Sequence, residues 1–286
     1  MRPCRTRRES GPRQPEYGRL WRHLLLSVAA FGMLFHPVSA QDKARNWTLN
    51  GYVKDLQQVW IQDINDPWLT WTTVHNRLDF NYYPGKNTHL SISARNNLNF
   101  GELITLLPGL GNLMEQDRGL LDLSWKLADG ASYVLSSEID RAYLEHTWKK
   151  LNVRLGRQRV NWGIGLVWNP NDIFNTFSYF DFDYEERPGS DALRLEYYTG
   201  MASSAQLAMK LDSARALTLA GMYRFNRWNY DIQIMAGMTP GDLVLGAGWA
   251  GQVEGAGFRG EASWFVPRNG QGQVLVASLD ADYTLK

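Results

Sequence analysis

From residue 74 onward one pattern recurs: apolar and polar residues alternate along segments of about ten residues. In 74–82, Val74, Leu78, Phe80 and Tyr82 share one face, while His75, Arg77, Asp79 and Asn81 share the other. In 88–100, Leu90, Ile92, Ala94, Leu98 and Phe100 oppose Ser91, Ser93, Arg95, Asn97 and Asn99. The same period runs through 121–127, 141–148, 193–198, 217–225, 230–238, 242–249, 258–264 and 275–285. A period of two means extended strands with one apolar face. No apolar run after Ala40 approaches the roughly 20 residues that a membrane helix needs.

A mean hydropathy of −0.37 is then the average of two opposite faces rather than the mark of a water-covered protein. Aromatic residues make up 13% of the chain, with 12 Trp. They gather near segment ends, as in Tyr82-Tyr83, Tyr197-Tyr198, Trp228 with Tyr230, and Trp264-Phe265. Alternation flanked by aromatic girdles is the sequence signature of a transmembrane β-barrel. Short polar turns such as Pro84-Gly85-Lys86-Asn87, Lys149-Lys150 and Pro240-Gly241 contrast with longer interruptions at 101–117, 161–190 and 266–272. The expectation is an all-β, transmembrane, antiparallel up-and-down barrel of roughly 12–14 strands. A soluble sandwich is the alternative, but its polar face would point to water and its core would have to be far larger than one sandwich supplies.

The first 40 residues read differently. Seven Arg and two Glu in 1–22 precede an apolar stretch from Leu24 to Phe35, and Pro37-Val38-Ser39-Ala40 supplies small residues before a cut at Ala40/Gln41. That is the pattern of a cleaved secretory signal peptide over 1–40, with the barrel in 41–286. The mature chain has 23 basic and 27 acidic side chains, a net charge of −4, and loses Cys4, the chain's one cysteine. A thiol-free exported chain has no disulfides and no Cys-based metal site. Its charge balance gives no reason to expect a nucleic-acid partner. The expected location is the outer membrane of a Gram-negative bacterium, with outer-membrane lipid and the insertion machinery as partners and the oligomeric state open.

The polar face carries the candidate functional residues. Arg77, Arg95, Arg141, Arg154, Arg194, Arg224 and Arg259 fall on it, one per strand, together with Asp79, Glu145 and Glu196. Rings of charge lining a pore set selectivity through their field. They would favour small, hydrophilic, anionic solutes, unless each Arg pairs with a neighbouring carboxylate and merely stiffens the wall.

The densest stretch runs Gly156-Arg157-Gln158-Arg159-Val160-Asn161-Trp162-Gly163, then Trp168-Asn169-Pro170-Asn171-Asp172, and continues to Phe180-Asp181-Phe182-Asp183-Tyr184-Glu185-Glu186. Here the chain resembles Gram-negative porin-like channels of the alginate-export and phosphate-selective-porin kind. The resemblance implies a long loop, 161–190, that can fold into the pore. It makes Arg157, Arg159, Asp181, Asp183, Glu185 and Glu186 the constriction candidates.

Signs of catalysis fail on inspection. Gly246-Ala247-Gly248-Trp249-Ala250-Gly251 matches a dinucleotide fingerprint but lies within an alternating strand with no helix after it. His75, His89 and His146 sit on separate strands without a metal-type partner, and no Gly-x-Ser-x-Gly elbow exists. No catalytic residue, metal or cofactor is expected. The end, Tyr283-Thr284-Leu285-Lys286, lacks the terminal aromatic usual in outer-membrane barrels and points to a fragment of a longer barrel. The function these features suggest is a passive porin-like channel for small hydrophilic solutes. The rivals are a non-conducting structural or assembly barrel and a barrel hydrolase using His75.

Overall fold

The computed structural model describes residues 45–61, 63, 67–106, 109, 117, 119–175 and 189–284. The expected leader, 1–40, lies outside the described residues, as do Asp181, Asp183, Glu185 and Glu186. The described residues are almost entirely β, with thirteen strands in one antiparallel sheet. The strands are β1 (Trp47–Trp60), β2 (Leu69–Gly85), β3 (Thr88–Phe100), β4 (Ser124–Asp129), β5 (Tyr133–Trp148), β6 (Leu151–Gln158) and β7 (Ser190–Gly200). They continue as β8 (Ser203–Leu211), β9 (Leu217–Arg227), β10 (Tyr230–Met238), β11 (Asp242–Val253), β12 (Ala256–Pro267) and β13 (Val274–Asp282). One short helix, α1 (Glu102–Leu106), follows β3.

Neighbouring strands in the chain are neighbours in the sheet, and β4 alone stands off this path, pairing with β5. Two-residue turns join β2 to β3, β5 to β6, β7 to β8, β9 to β10 and β11 to β12. Antiparallel alternation therefore puts all five at one end of the sheet. Trp228 and Asn229 both have positive φ, as do Glu254 and Gly255. That backbone matches the twist of the flanking strands, as the primed hairpin turns require. The longer connections, including 159–189, leave from the opposite end.

The alternation read from the sequence sorts the two faces, but in the reverse of a soluble sheet. Leu155, Leu245 and Leu279 on the apolar face are 60%, 51% and 68% exposed. Gln233, Glu261 and Ser263 on the polar face are buried. Among the described residues β1 pairs only with β2 and β13 only with β12, so the sheet has two edges. Those edges run antiparallel to each other, since the path holds twelve strands with both edges counted.

At one position the wall is built from two pieces. β6 pairs with Ala142–Trp148 of β5 and then leaves the sheet after Gln158. β4 takes the rest of that edge, pairing with Val134–Glu138. The alternating segment 121–127 thus forms a ladder strand only from Ser124, because its first residues serve the junction. The Leu121 amide donates to Asp191 Oδ2 at 2.9 Å, and Gly119 makes an isolated bridge to Asp212.

Candidate functional site

Once β6 has left the sheet, residues 159–175 run across the polar face of β7–β12. Val160, Trp162, Ile173 and Phe174 pack there with Ala192, Ala208, Ala220, Met222, Met235 and Val244, one or two residues from each of β7 to β11, and with Phe265 of β12. Three alanines in successive strands leave room for the segment to approach the backbone. Trp162 meets Phe174 edge-to-face, with ring centroids 5.0 Å apart.

Polar side chains of the wall fasten what the apolar ones seat. Trp162 Nε1 donates to Gln206 Oε1 at 2.9 Å, and Gln233 Nε2 donates to the Trp162 carbonyl at 2.6 Å. Glu261 accepts the backbone N–H groups of Ile164 at 2.8 Å and Asn171 at 3.4 Å. Ser263 Oγ lies 2.9 Å from the Pro170 carbonyl and 2.7 Å from Asn171 Oδ1. Asp280 of β13 accepts the Leu166 amide at 3.3 Å, and Lys210 Nζ donates to the Phe174 carbonyl at 2.7 Å. Buried backbone groups outside a ladder need such partners, so the segment is a fixed part of the wall.

Most of the arginines named from the sequence lie beside carboxylates. Arg77 bridges Asp79 at 2.9 Å and Asp140 at 2.8 Å, and Arg141 reaches Asp140 at 3.2 Å. Asp140 is the extra residue of a β-bulge opposite Ser93/Ala94, which turns its side chain into this cluster. Arg95 pairs with Glu138 at 3.3 Å, Arg154 with Glu145 at 2.7 Å, and Arg194 with Glu196 at 3.6 Å. Arg259 pairs with Asp282, and Arg224 donates to Gln233 at 3.3 Å. Arg159, just past β6, adds its positive charge to those of Arg77 and Arg95 around Arg141.

Arg157 stands apart from this group. In the β6–β7 register it pairs with Asp191 and shares the parity of Leu155 and Leu193, the apolar face. Its guanidinium is buried, bonded to Asp191 at 2.9 Å and to Asp117, at the junction patched by 119–123. The structure thus places it in the wall rather than with the polar-face arginines. The alternation already held that signal, since Arg154, Gly156 and Gln158 share the opposite parity. Of the fastenings of the 159–175 segment, Glu261, Gln233 and Ser263 were legible as polar-face residues, though nothing local marks what they hold, and Gln206, in the unread segment 203–211, was missed.

Residues 78–237 match the model of a family described as "Protein of unknown function (DUF1302)", which is more than half of the chain. The chain belongs to this family. The DUF1302 match runs from β2 to β10 and includes the whole 159–175 segment and most of the paired-charge face. No curated protein matches the chain.

Proposed function

We propose that this protein is an outer-membrane β-barrel acting as a passive, porin-like channel for small hydrophilic solutes. The observation that carries the reading is the inversion of exposure: leucines and aromatics cover the outer face while carboxylates, amides and guanidiniums fill the inner one. Hydrocarbon accepts a sheet only when every backbone group is paired, which demands closure. An antiparallel relation between β1 and β13 is what closure by direct pairing requires. Two-residue turns at one end and longer connections at the other fit barrel asymmetry, and the basic, then apolar, 1–40 segment fits export.

Solutes would pass between the 159–175 segment and the paired charges of β2, β3, β5, β6 and β7. Because each of those arginines faces a carboxylate, the net field is small, and weak ion preference is expected rather than marked anion selectivity. The test is conductance of the purified full chain in planar bilayers, with reversal potentials measured across a salt gradient. Steps of conductance with a small reversal potential are the expected result; silence at every salt concentration overturns the channel. The fixed 159–175 segment favours one second reading, a plugged structural barrel, and silence together with bilayer insertion is its signature.

A further inference from the structure

A cavity of about 470 Å³ lies between the 159–175 segment and the long-connection ends of β8, β9, β11, β12 and β13. That size falls within the range of small-molecule sites. We propose that it binds an uncharged, hydroxyl-rich ring, a mono- or disaccharide; this deepens the channel reading, on which it rests, by naming the solute class.

Two aromatic rings, Trp168 and Phe265, line the cavity, and Trp168 is 37% exposed there. A pyranose presents a face of C–H groups to such a ring and its hydroxyls to the sides. The sides here are polar: Asn169, Thr218, Asp242 and Lys210. Asn169 lines the cavity and is 9% exposed, its side chain packed against Gly163.

The charges argue for neutrality. Three aspartates and one ammonium, Lys210, line the cavity, so an anion meets repulsion from the majority. A cation meets Lys210, while two of the aspartates are engaged locally: Asp212 accepts the Ala216 amide at 2.8 Å and Asp242 accepts the Thr239 hydroxyl at 3.4 Å. A polyol can both donate to carboxylates and accept from the ammonium. The cavity wall is also preformed, since Asn171, Ser263 and Glu261 hold the segment that carries Trp168 and Asn169.

The experiment is titration calorimetry of the purified full chain in detergent micelles, with maltose, gluconate and spermidine as neutral, anionic and cationic probes. Maltose binding that is weakened about ten-fold or more by Trp168→Ala, with gluconate and spermidine weaker than maltose, is the expected result. Asn169→Leu is the second variant and should weaken maltose in the same direction; the unfolding midpoint of each variant shows that it has folded. Absence of maltose binding, binding unchanged in both variants, or tighter binding of gluconate or spermidine overturns the proposal. Micelle binding needs no conduction, so the two readings separate. Maltose binding by a silent protein overturns the channel and keeps the site, whereas a conducting protein that ignores maltose does the reverse.

Discussion

Arg157 shows how one residue can oppose the pattern of its strand. If lipid covers the apolar face, a guanidinium of that parity would be expensive in the open; Asp191, Asp117 and the Leu121 carbonyl enclose it. Removing one partner of such a buried set strands the others, so Arg157→Gln should cost about 3–5 kcal/mol. Urea unfolding in micelles, followed by tryptophan fluorescence, measures the loss. Replacing Arg157, Asp191 and Asp117 together by Leu should recover most of it, because the surrounding leucines tolerate apolar volume. A triple variant as unstable as the single one would mean that the charges do more than fill the junction.

Glu102 is a second case at the same scale, outside the strands. The Thr70 hydroxyl, and with it the Thr70 amide at 3.0 Å, donates to its carboxylate and holds it below the usual carboxylate range. A lowered folded value means the bond is complete above the unfolded pKa of about 4.3 and is lost as pH falls through the folded one. The Thr70 amide resonance should therefore titrate with a midpoint below that of a free glutamate. A midpoint at or above it would remove the bond.

Among the elements, the 159–175 segment carries the interior of the β7–β12 half. Trp162 is its largest buried anchor, packed against Phe174 and bonded to Gln206. Trp162→Ala should cost about 3–5 kcal/mol by cavity formation and expose Arg159 to trypsin, read by urea unfolding and by limited digestion. Unchanged digestion would mean that Glu261 and Ser263 hold the segment by themselves. Much of this half was legible in advance: the period of two assigned strands and faces from Val74 onward, including the face of Gln233 and Glu261, though 203–211, with Gln206, was not read as a strand. The end of β6 was legible as well, as the interruption from 161, but the seat of 159–175 on the sheet was not. The chain leaves there because Trp162 and Phe174 find a bed of Ala192, Ala208 and Ala220 more than fifteen residues away. The same non-local logic explains Arg157, which composition groups with Arg159 and pairing separates from it. Asp140 likewise reads as one more alternating residue, and only its opposition to Ser93/Ala94 makes it a bulge.

For the whole molecule, the question is what solvent the outer face meets. Leu245 sits mid-strand in β11 on that face, opposite Trp264 of β12 and Ala236 of β10, with 51% of its surface exposed. If water covered this face, Leu245→Arg would be an ordinary surface change, within about 0.5 kcal/mol of neutral. If hydrocarbon covers it, the charge must be dragged into the bilayer, at about 2–4 kcal/mol near the midplane. The two solvents thus differ by several-fold in one measurable quantity, folding free energy in lipid vesicles. Gln271→Arg, exposed in the β12–β13 connection, is the internal control and should be silent in either solvent. A large cost at Leu245 with none at Gln271 is the expected outcome. Equal, small effects at both positions would leave the inverted face without its lipid and the channel reading without its membrane.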